Sequence, residues 1–416
     1  MKYMGLDFGT SNSVAGFGID QEVSVVPIDD QGKGVMPSTL FYHTDLETYF
    51  FGNTANNMHK IGTSGRYLKS LKSILGSSLQ NHQTRIGSKE IPLTQLIAIY
   101  INNIKNKVEA HYNSPIDSVV AGRPVFYSNV SREVDKASER AYEDILRSIG
   151  FKNILFEYEP IAAAYSYEQD LQEETLALIV DLGGGTSDFS LVRLHPKIDK
   201  KERAQNILGY HSVHVAGDDF DREVNLATIM THLGYKKNMD NGRPVPHWIY
   251  TELSTWEKIN LFMQNNSNHM LLDELTKQQK NKVDFINLKY VVDNQLPYYL
   301  LGASEQVKIG LSGDNEIHKE IKLFNPAINI QWNIDQFNNA INHLSEKIIQ
   351  ALEETLRQGG VTPKDVRTIF FTGGTSQIPL IRDRILSLCS QSKVIEGDTF
   401  SSVGHGLTLK ARELFA

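Results

Sequence analysis

A chain of 416 residues is too long for one compact core and suggests two domains or lobes. With 40% hydrophobic and 22% charged residues it reads as a soluble globular protein, and a net charge of −7 argues against nucleic acid as a main partner. The lone Cys389 excludes an internal disulfide, no apolar run reaches the ~18 residues of a membrane span, and "MKYMGLDFG" lacks the apolar core of a secretion signal, so a cytoplasmic protein in a reducing compartment is expected.

In chain order, "YMGLDFGTSNSVAGFGI" predicts strand, tight turn, strand. Residues 40–115 carry mixed helix signals. Val130, Val134, Ala137, Ala141, Ile145 and Ile149 recur at helical spacing, and Gly150 marks a stop. "NILFEYEPIAAAYSYE" predicts a strand and then a helix opened by Pro160, with Ala162–Ala164 small enough for close packing. "LALIVDLGGGTSDFSLVRL" repeats the strand–turn–strand pattern, with an apolar run at Ala177–Val180 and a returning strand at Phe189–Leu194. Residues 236–302 are rich in Asn, Lys and Gln. Trp248, Trp256, Leu261, Phe262, Leu271 and Leu272 could close a small core there, so a folded variable subdomain is expected. "VRTIFFTGGTSQIPLIRDRIL" predicts a strand at Thr368–Thr372, a Gly-Gly turn and a helix entered near Pro379.

The two glycine hairpins carry the chemistry. Asp7 and Asp181 lie 174 positions apart, and each precedes a glycine turn and a Thr-Ser pair. Glycine lets the backbone approach a ligand, and successive N–H groups in such a turn form an anion-binding concavity. Thr10, Ser11 and Asn12 add short donors. Asp7, at a strand end, can hold a hard cation directly or through water. Asp181, Gly183, Gly184, Gly185, Thr186, Ser187 and Asp188 repeat the logic with one more carboxylate. Two facing hairpins could grip a polyphosphate from both flanks and share a metal between the two aspartates. Other readings of the glycines lack their motifs: there is no GxxxxGK[ST], and no GxGxxG between strand and helix. His211 and His214 have no further ligand at metal spacing.

Five segments, in order, resemble the nucleotide-binding domain of the DnaK-type (heat-shock protein 70) chaperones in the actin-like ATPase superfamily. They are "GLDFGTSNS", "EPIAAA" (Glu159–Ala164), "VDLGGGTSDFS", "AGDDFD" (Ala216–Asp221) and "TGGTSQIP" (Thr372–Pro379), with weaker matches at "MPSTL" and "SEQVKIGLS". The resemblance spans residue 5 to about 410 and implies an α/β, ribonuclease H-like duplicated fold of two lobes around a nucleotide cleft. Lobe I would cover 1–175, with a variable subdomain at about 40–115 and a closing helix at about 398–416. Lobe II would cover 176–397, with an enlarged subdomain at about 222–312.

Carried over residue by residue, the resemblance implies ATP/ADP and Mg²⁺ as cofactors. Thr10, Ser11 and Asn12 would contact the β- and γ-phosphates, with Gly9, Gly183, Gly184 and Gly185 in the same loops. Asp7 and Asp181 would bind Mg²⁺ through water. Lys72, in "SLKSILG", would stabilise charge on the γ-phosphoryl group and help place the attacking water. Glu159 would join the water and metal network, Thr186 would contact the γ-phosphate, and Asp188 would orient the water. Gly217, Asp218 and Asp219 would lie on the ribose side. Glu305, Lys308 and Ser312 would frame the adenosine. Gly373, Gly374, Thr375, Gln377 and Asp398 would complete the nucleotide site.

Two residues depart from the pattern: Gln377 and Ile309 stand where the family usually has arginines, which removes stacking contacts of roughly 0.5–2 kcal/mol each. The sequence given ends at Ala416, so the family's peptide-binding domain is expected to be absent, as in the shortened bacterial YegD-type proteins. The expectation is a weak ATPase acting as a molecular switch on an unidentified protein partner, engaged through 236–302, with no nucleic acid or membrane. The rivals are an actin-like filament former, a sugar- or acetate-type kinase, and a nucleotide-binding scaffold without turnover.

Overall fold

The computed structural model describes residues 2–61, 63–127, 131–195, 203–278, 283–395 and 402–416. Two compact units are present. One comprises Met1–His214, Ile349–Ser376 and Arg384–Ala416; the other comprises Val215–Ile348 and Gln377–Asp383.

The first unit contains two sheets of the same design. In one, the strands Glu22–Val25, Asn12–Ile19 and Lys2–Phe8 form an antiparallel meander, continued in parallel by Ser118–Arg123 and Asn153–Tyr158. In the other, Ile207–Val213, Ser187–Leu194 and Thr175–Leu182 form the meander, continued in parallel by Thr368–Thr372 and Lys393–Ile395. The central strands are buried on both faces, which is why they read as continuous apolar runs such as "LALIV". The duplication suspected from two short motifs is therefore a duplication of whole sheets.

Register corrects one detail of the motif match. Asp7 pairs with Val14 and Phe8 with Ser13; Asp181 pairs with Asp188 and Leu182 with Ser187. The turns are thus Gly9-Thr10-Ser11-Asn12 and Gly183-Gly184-Gly185-Thr186. Thr186 corresponds to Asn12 and not to Thr10, so the two Thr-Ser pairs are offset by the extra glycines.

Each sheet is followed by a helix: Glu159–Asp170 after the first, Ser402–Phe415 after the second. The two helices pack against each other so closely that a methyl on Gly406 would collide with the Ala162 carbonyl. This is the close packing anticipated for Ala162–Ala164. Ile161, Ala162, Ala164, Val403, Leu407 and Ala411 form one apolar cluster with Tyr3 and Val120 of the first sheet and Ala177, Ile179 and Phe370 of the second. A larger cluster lies on the other face of the first sheet, built from Met4, Leu6 and Phe8 with Leu96, Tyr100, Ile104 and Leu146.

Residues 40–115 are more β-rich than their mixed helix signals suggested. The strands Thr48–Phe51, Thr39–His43 and Gly65–Lys69 form a sheet, Gln83–Ile86 and Lys89–Pro92 form a hairpin, and only then does the long helix Leu93–Tyr112 begin. These strands are four or five residues each, too short for alternation to stand out. The helix expected from Val130 runs from Arg132 to Ser148 and Gly150 follows at φ +95°; Val130 itself lies outside the described residues.

The second unit is mainly helical: Gly217–Ala227, His247–Leu253, Trp256–Gln264, Asn266–Gln278, Val283–Asp293 and Pro297–Leu311, with a hairpin of Glu316–Ile321 and Ile328–Asn333. Segment 236–302 is folded, around only part of the core first suggested, with Trp256 and Leu271 half-buried. Phe262 and Leu272 are buried, whereas Trp248 and Leu261 are exposed; Ile249, Tyr250, Leu253, Ile259 and Leu288 take their place. Among the described residues no helix is long and apolar enough to cross a membrane.

Candidate functional site

Both glycine turns lie in the first unit and meet. A methyl on Gly185 would stand 3.5 Å from Thr10 Cγ2. Each turn is anchored at its first glycine by a hydroxyl from elsewhere in the chain. Ser38 Oγ donates to the Gly9 carbonyl at 2.7 Å, and Thr375 Oγ1 donates to the Gly183 carbonyl at 2.7 Å. Gly9 and Gly183 are equivalent in register, so the two anchors are equivalent too. Ser38 belongs to the "MPSTL" match and also bonds Ser13 Oγ at 2.9 Å, while its N–H donates to the Ser11 carbonyl at 2.8 Å. Gly373 adopts φ +75° and packs against Asp181, where an added methyl would sit 3.0 Å from Oδ1. Gly374 opens a short turn, Gly374–Gln377, that presents Thr375 to Gly183.

Strand ends place the charges. Asp7 and Asp181 are each one residue from the end of a strand, at the carboxyl edge where open α/β sheets bind ligands. Glu159 opens its helix directly after the strand Asn153–Tyr158, with Pro160 behind it in the first turn. Lys72 sits on a short 3₁₀ turn, Leu71–Ile74, pinned by the burial of Leu71 and Ile74. Its ammonium bonds Glu159 Oε1 at 2.6 Å, with both side chains only about a tenth exposed (12% and 11%).

Three carboxylates, Glu159, Asp7 and Asp181, thus gather around one ammonium. Burial, then the charge of Glu159 and of Asp181, pushes the Asp7 carboxyl up to about 8 despite the opposing pull of Lys72. Burial, then Asp188 and Glu159, pushes Asp181 up to about 7. For Lys72, burial disfavours the charged form, but Glu159, Asp7 and Asp181 outweigh it and hold the ammonium above its ordinary value. The surplus negative charge is what a divalent cation would neutralise. Among the described residues no three His, Cys, Asp or Glu side chains are grouped to cage a metal directly. A cation here fits the Mg²⁺ habit of keeping water and phosphate oxygens in its shell.

Asp188 is held from two sides. Thr186 Oγ1 donates to Oδ2 at 2.7 Å, and Tyr210 Oη donates to Oδ1 at 2.6 Å. Beside it lies a cavity of about 20 Å³ lined by Glu159, Pro160, Asp181, Asp188, Ser190 and Tyr210, with Pro124, Val125 and Ile179 closing it. That volume suits one water molecule. Arg123 braces the wall by donating to the Pro124 and Val125 carbonyls; it also pairs with Asp135 and Glu139 and lies over the Tyr127 and Tyr158 rings. Tyr210 and Arg123 escaped the sequence reading. The signal for Tyr210 was its register opposite Ser190, which no motif reveals.

The structure therefore gathers Asp7, Gly9, Thr10, Ser11, Asn12, Lys72, Glu159, Asp181, Gly183, Gly184, Gly185, Thr186, Asp188, Gly373, Gly374 and Thr375 in one unit. Gly217, Asp218, Asp219, Glu305, Lys308, Ser312 and Gln377 belong to the other. There Asp219 caps its helix by accepting from the Ala216 N–H at 3.0 Å and pairs with Arg222 at 2.8 Å. The Lys308 ammonium lies 2.8 Å from Asp221 and donates to the Gly217 carbonyl at 3.2 Å, and Ser312 Oγ donates back to the Lys308 carbonyl. Glu305 and Gln377 are exposed. Asp398 lies outside the described residues.

A family model described as "Hsp70 protein" matches residues 3–243 and 265–411. Chaperone protein DnaK of Thermosipho melanesiensis is 24% identical over 98% of this chain and 58% of its own length. Chaperone protein HscA of Salmonella typhimurium is 22% identical over 98% of the chain and 57% of its own length. Chaperone protein DnaK of Thermotoga maritima is 25% identical over 91% and 54% respectively. The chain thus spans a little over half the length of these curated relatives.

Proposed function

Because the chain belongs to the Hsp70 family, with its actin-like α/β fold, we propose that it binds Mg·ATP at the paired glycine turns and hydrolyses it slowly, as a nucleotide-driven, chaperone-related switch. The observation that carries this reading is the approach of the two turns to within about one methyl group of each other, each turn preceded by a carboxyl of raised pKa. A triphosphate has two flanks, and each sheet contributes one turn to grip it.

In this reading the turn N–H groups and the Thr10, Ser11 and Thr186 hydroxyls hold phosphate oxygens. Asp7 and Asp181 would hold Mg²⁺, which would supply charge neutralisation on the phosphates. Lys72 is kept charged by its acidic neighbours and stabilises negative charge at the γ-phosphoryl group. Asp188 accepts a hydrogen bond from the attacking water. The water oxygen bonds to the γ-phosphorus as the β–γ bridging P–O bond breaks. The bond's electrons leave on ADP, and the water's protons pass to phosphate and solvent. Gly217, Asp218, Asp219, Glu305, Lys308, Ser312, Gly373, Gly374, Thr375, Gln377 and Asp398 serve the nucleoside end by resemblance. A protein partner reads the state through segment 236–302, whose surface exposes Trp248, Leu261, Met270 and Tyr290. Burial of Cys389, whose thiol it pushes up to about 11, suits a reducing cytoplasm.

Calorimetry with ATP, ADP and GTP, with and without Mg²⁺, tests the reading. Magnesium-dependent ATP binding that Asp181→Asn abolishes is expected; no binding of ATP at millimolar concentration overturns it. A scaffold without turnover is the second reading, favoured by Ile309, 61% exposed, and Gln377 in place of two arginines. Tight binding with no phosphate release would select it.

A further inference from the structure

The Tyr210 phenol serves no evident packing purpose that phenylalanine would not serve. Its ring packs against Phe126, with centroids 5.4 Å apart, and its backbone N–H donates to Gln358 at 3.2 Å. The hydroxyl donates to Asp188 and is itself hydrogen-bonded by Ser212, which lies directly opposite Asp188 in register. Tyr210 pairs directly with Ser190, and Asp188 lies two residues from Ser190, hence on the same face of the strand. The phenol therefore meets Asp188 on the diagonal, at a place set by sheet register.

We propose that Tyr210 is a positioning residue for ATP hydrolysis, fixing the plane of the Asp188 carboxylate so that it holds one water in the adjoining cavity. This rests on the function proposed above. A carboxylate's terminal torsion is soft and two-fold, so an unbraced Asp188 would swing. With Thr186 on one oxygen and Tyr210 on the other, that torsion is locked. Each oxygen keeps a further acceptor site, and water is the donor that can use it. The cavity of about 20 Å³ is lined by Asp188, Tyr210, Glu159, Asp181 and Ser190, enough polar partners for one water. Burial, then the charge of Asp188, keeps the phenol protonated, so it remains a donor across the physiological range.

The test is a double-mutant cycle on the full chain, read by single-turnover hydrolysis and by ATP affinity. Tyr210→Phe keeps the ring and removes only the hydroxyl. It is expected to slow phosphate release about 10-fold while leaving the ATP Kd within about twofold and the Tm close to the parent's. In an Asp188→Asn background the same change is expected to have no further effect, because Tyr210 acts through Asp188. An unchanged rate in Tyr210→Phe overturns the inference, as does an equal loss in both backgrounds or a loss of affinity matching the loss of rate. A parent protein that binds ATP but never turns it over overturns the inference together with the hydrolysis reading. A parent that turns over, with Tyr210→Phe at the same rate, overturns this inference alone.

Discussion

Gly185 lies against Thr10, with 3.5 Å between the threonine Cγ2 and the place a methyl on the glycine would occupy. That is ordinary van der Waals contact, so the gap admits one carbon and little more. Gly185→Ala is expected to fold normally and bind ATP within about twofold of the parent, whereas Gly185→Val forces the turns apart and weakens binding at least about tenfold. Calorimetry on the two variants decides it; equal affinities would place the phosphate chain elsewhere.

Lys72 is held by Glu159 at 2.6 Å in a ring of carboxyls. If it stabilises charge that develops only during transfer, Lys72→Ala lowers turnover about 10²–10³-fold and spares nucleotide binding. Phosphate release and equilibrium binding are measured side by side. Hydrolysis at the parent rate removes Lys72 from the chemistry.

Asp7 and Asp181 make the metal-free protein sensitive to pH. Both carboxyls titrate in the folded state far above the unfolded value of 3.8, at about 8 and about 7. The folded state therefore binds more protons than the unfolded state, and their contribution to stability is full below pH 3.8 and declines as pH rises toward 8. In EDTA the Tm is expected to fall between pH 5 and pH 8, and Asp7→Asn is expected to fall less. A Tm in EDTA that rises over this range in the parent, or an Asp7→Asn profile parallel to it, contradicts the charge accounting.

In the second unit, Lys308 and Asp221 form a buried pair, with Asp221 2% exposed. Breaking such a pair strands a charge at a cost of about 3–5 kcal/mol, while replacing both partners by apolar residues is close to neutral. Lys308→Met is thus expected to destabilise strongly, and Lys308→Met with Asp221→Leu to recover most of the loss in chemical denaturation. Equal losses in single and double variants would show that the Gly217 carbonyl, not Asp221, is the partner that matters.

The parts of the site built from consecutive residues were legible in the sequence. A glycine turn between apolar strands, written twice, announced both hairpins, and Pro160 marked the helix that presents Glu159. What a linear reading could not supply was cross-strand alignment. It matched Thr10 with Thr186, whereas pairing equates Thr186 with Asn12. It also missed Tyr210, which reaches Asp188 only because two strands run side by side in one register. Segment 236–302 shows the same limit: Trp248 and Leu261 are apolar, yet both face outward, because helix rotation and not composition decides which side is covered.

The helix Ser402–Phe415 is packed so tightly on the first strands that Gly5 and Gly16 both accommodate Thr408. The strand Lys2–Phe8 therefore waits for a helix that begins only at Ser402 before that face is covered. Until then a ribosome-bound nascent chain presents an open apolar surface, and contacts of such long separation close slowly. A stop codon ahead of Ser402 would release a polypeptide in which the face of this strand that meets Thr408 has no cover, and such a product should be found in inclusion bodies or cleared by proteases.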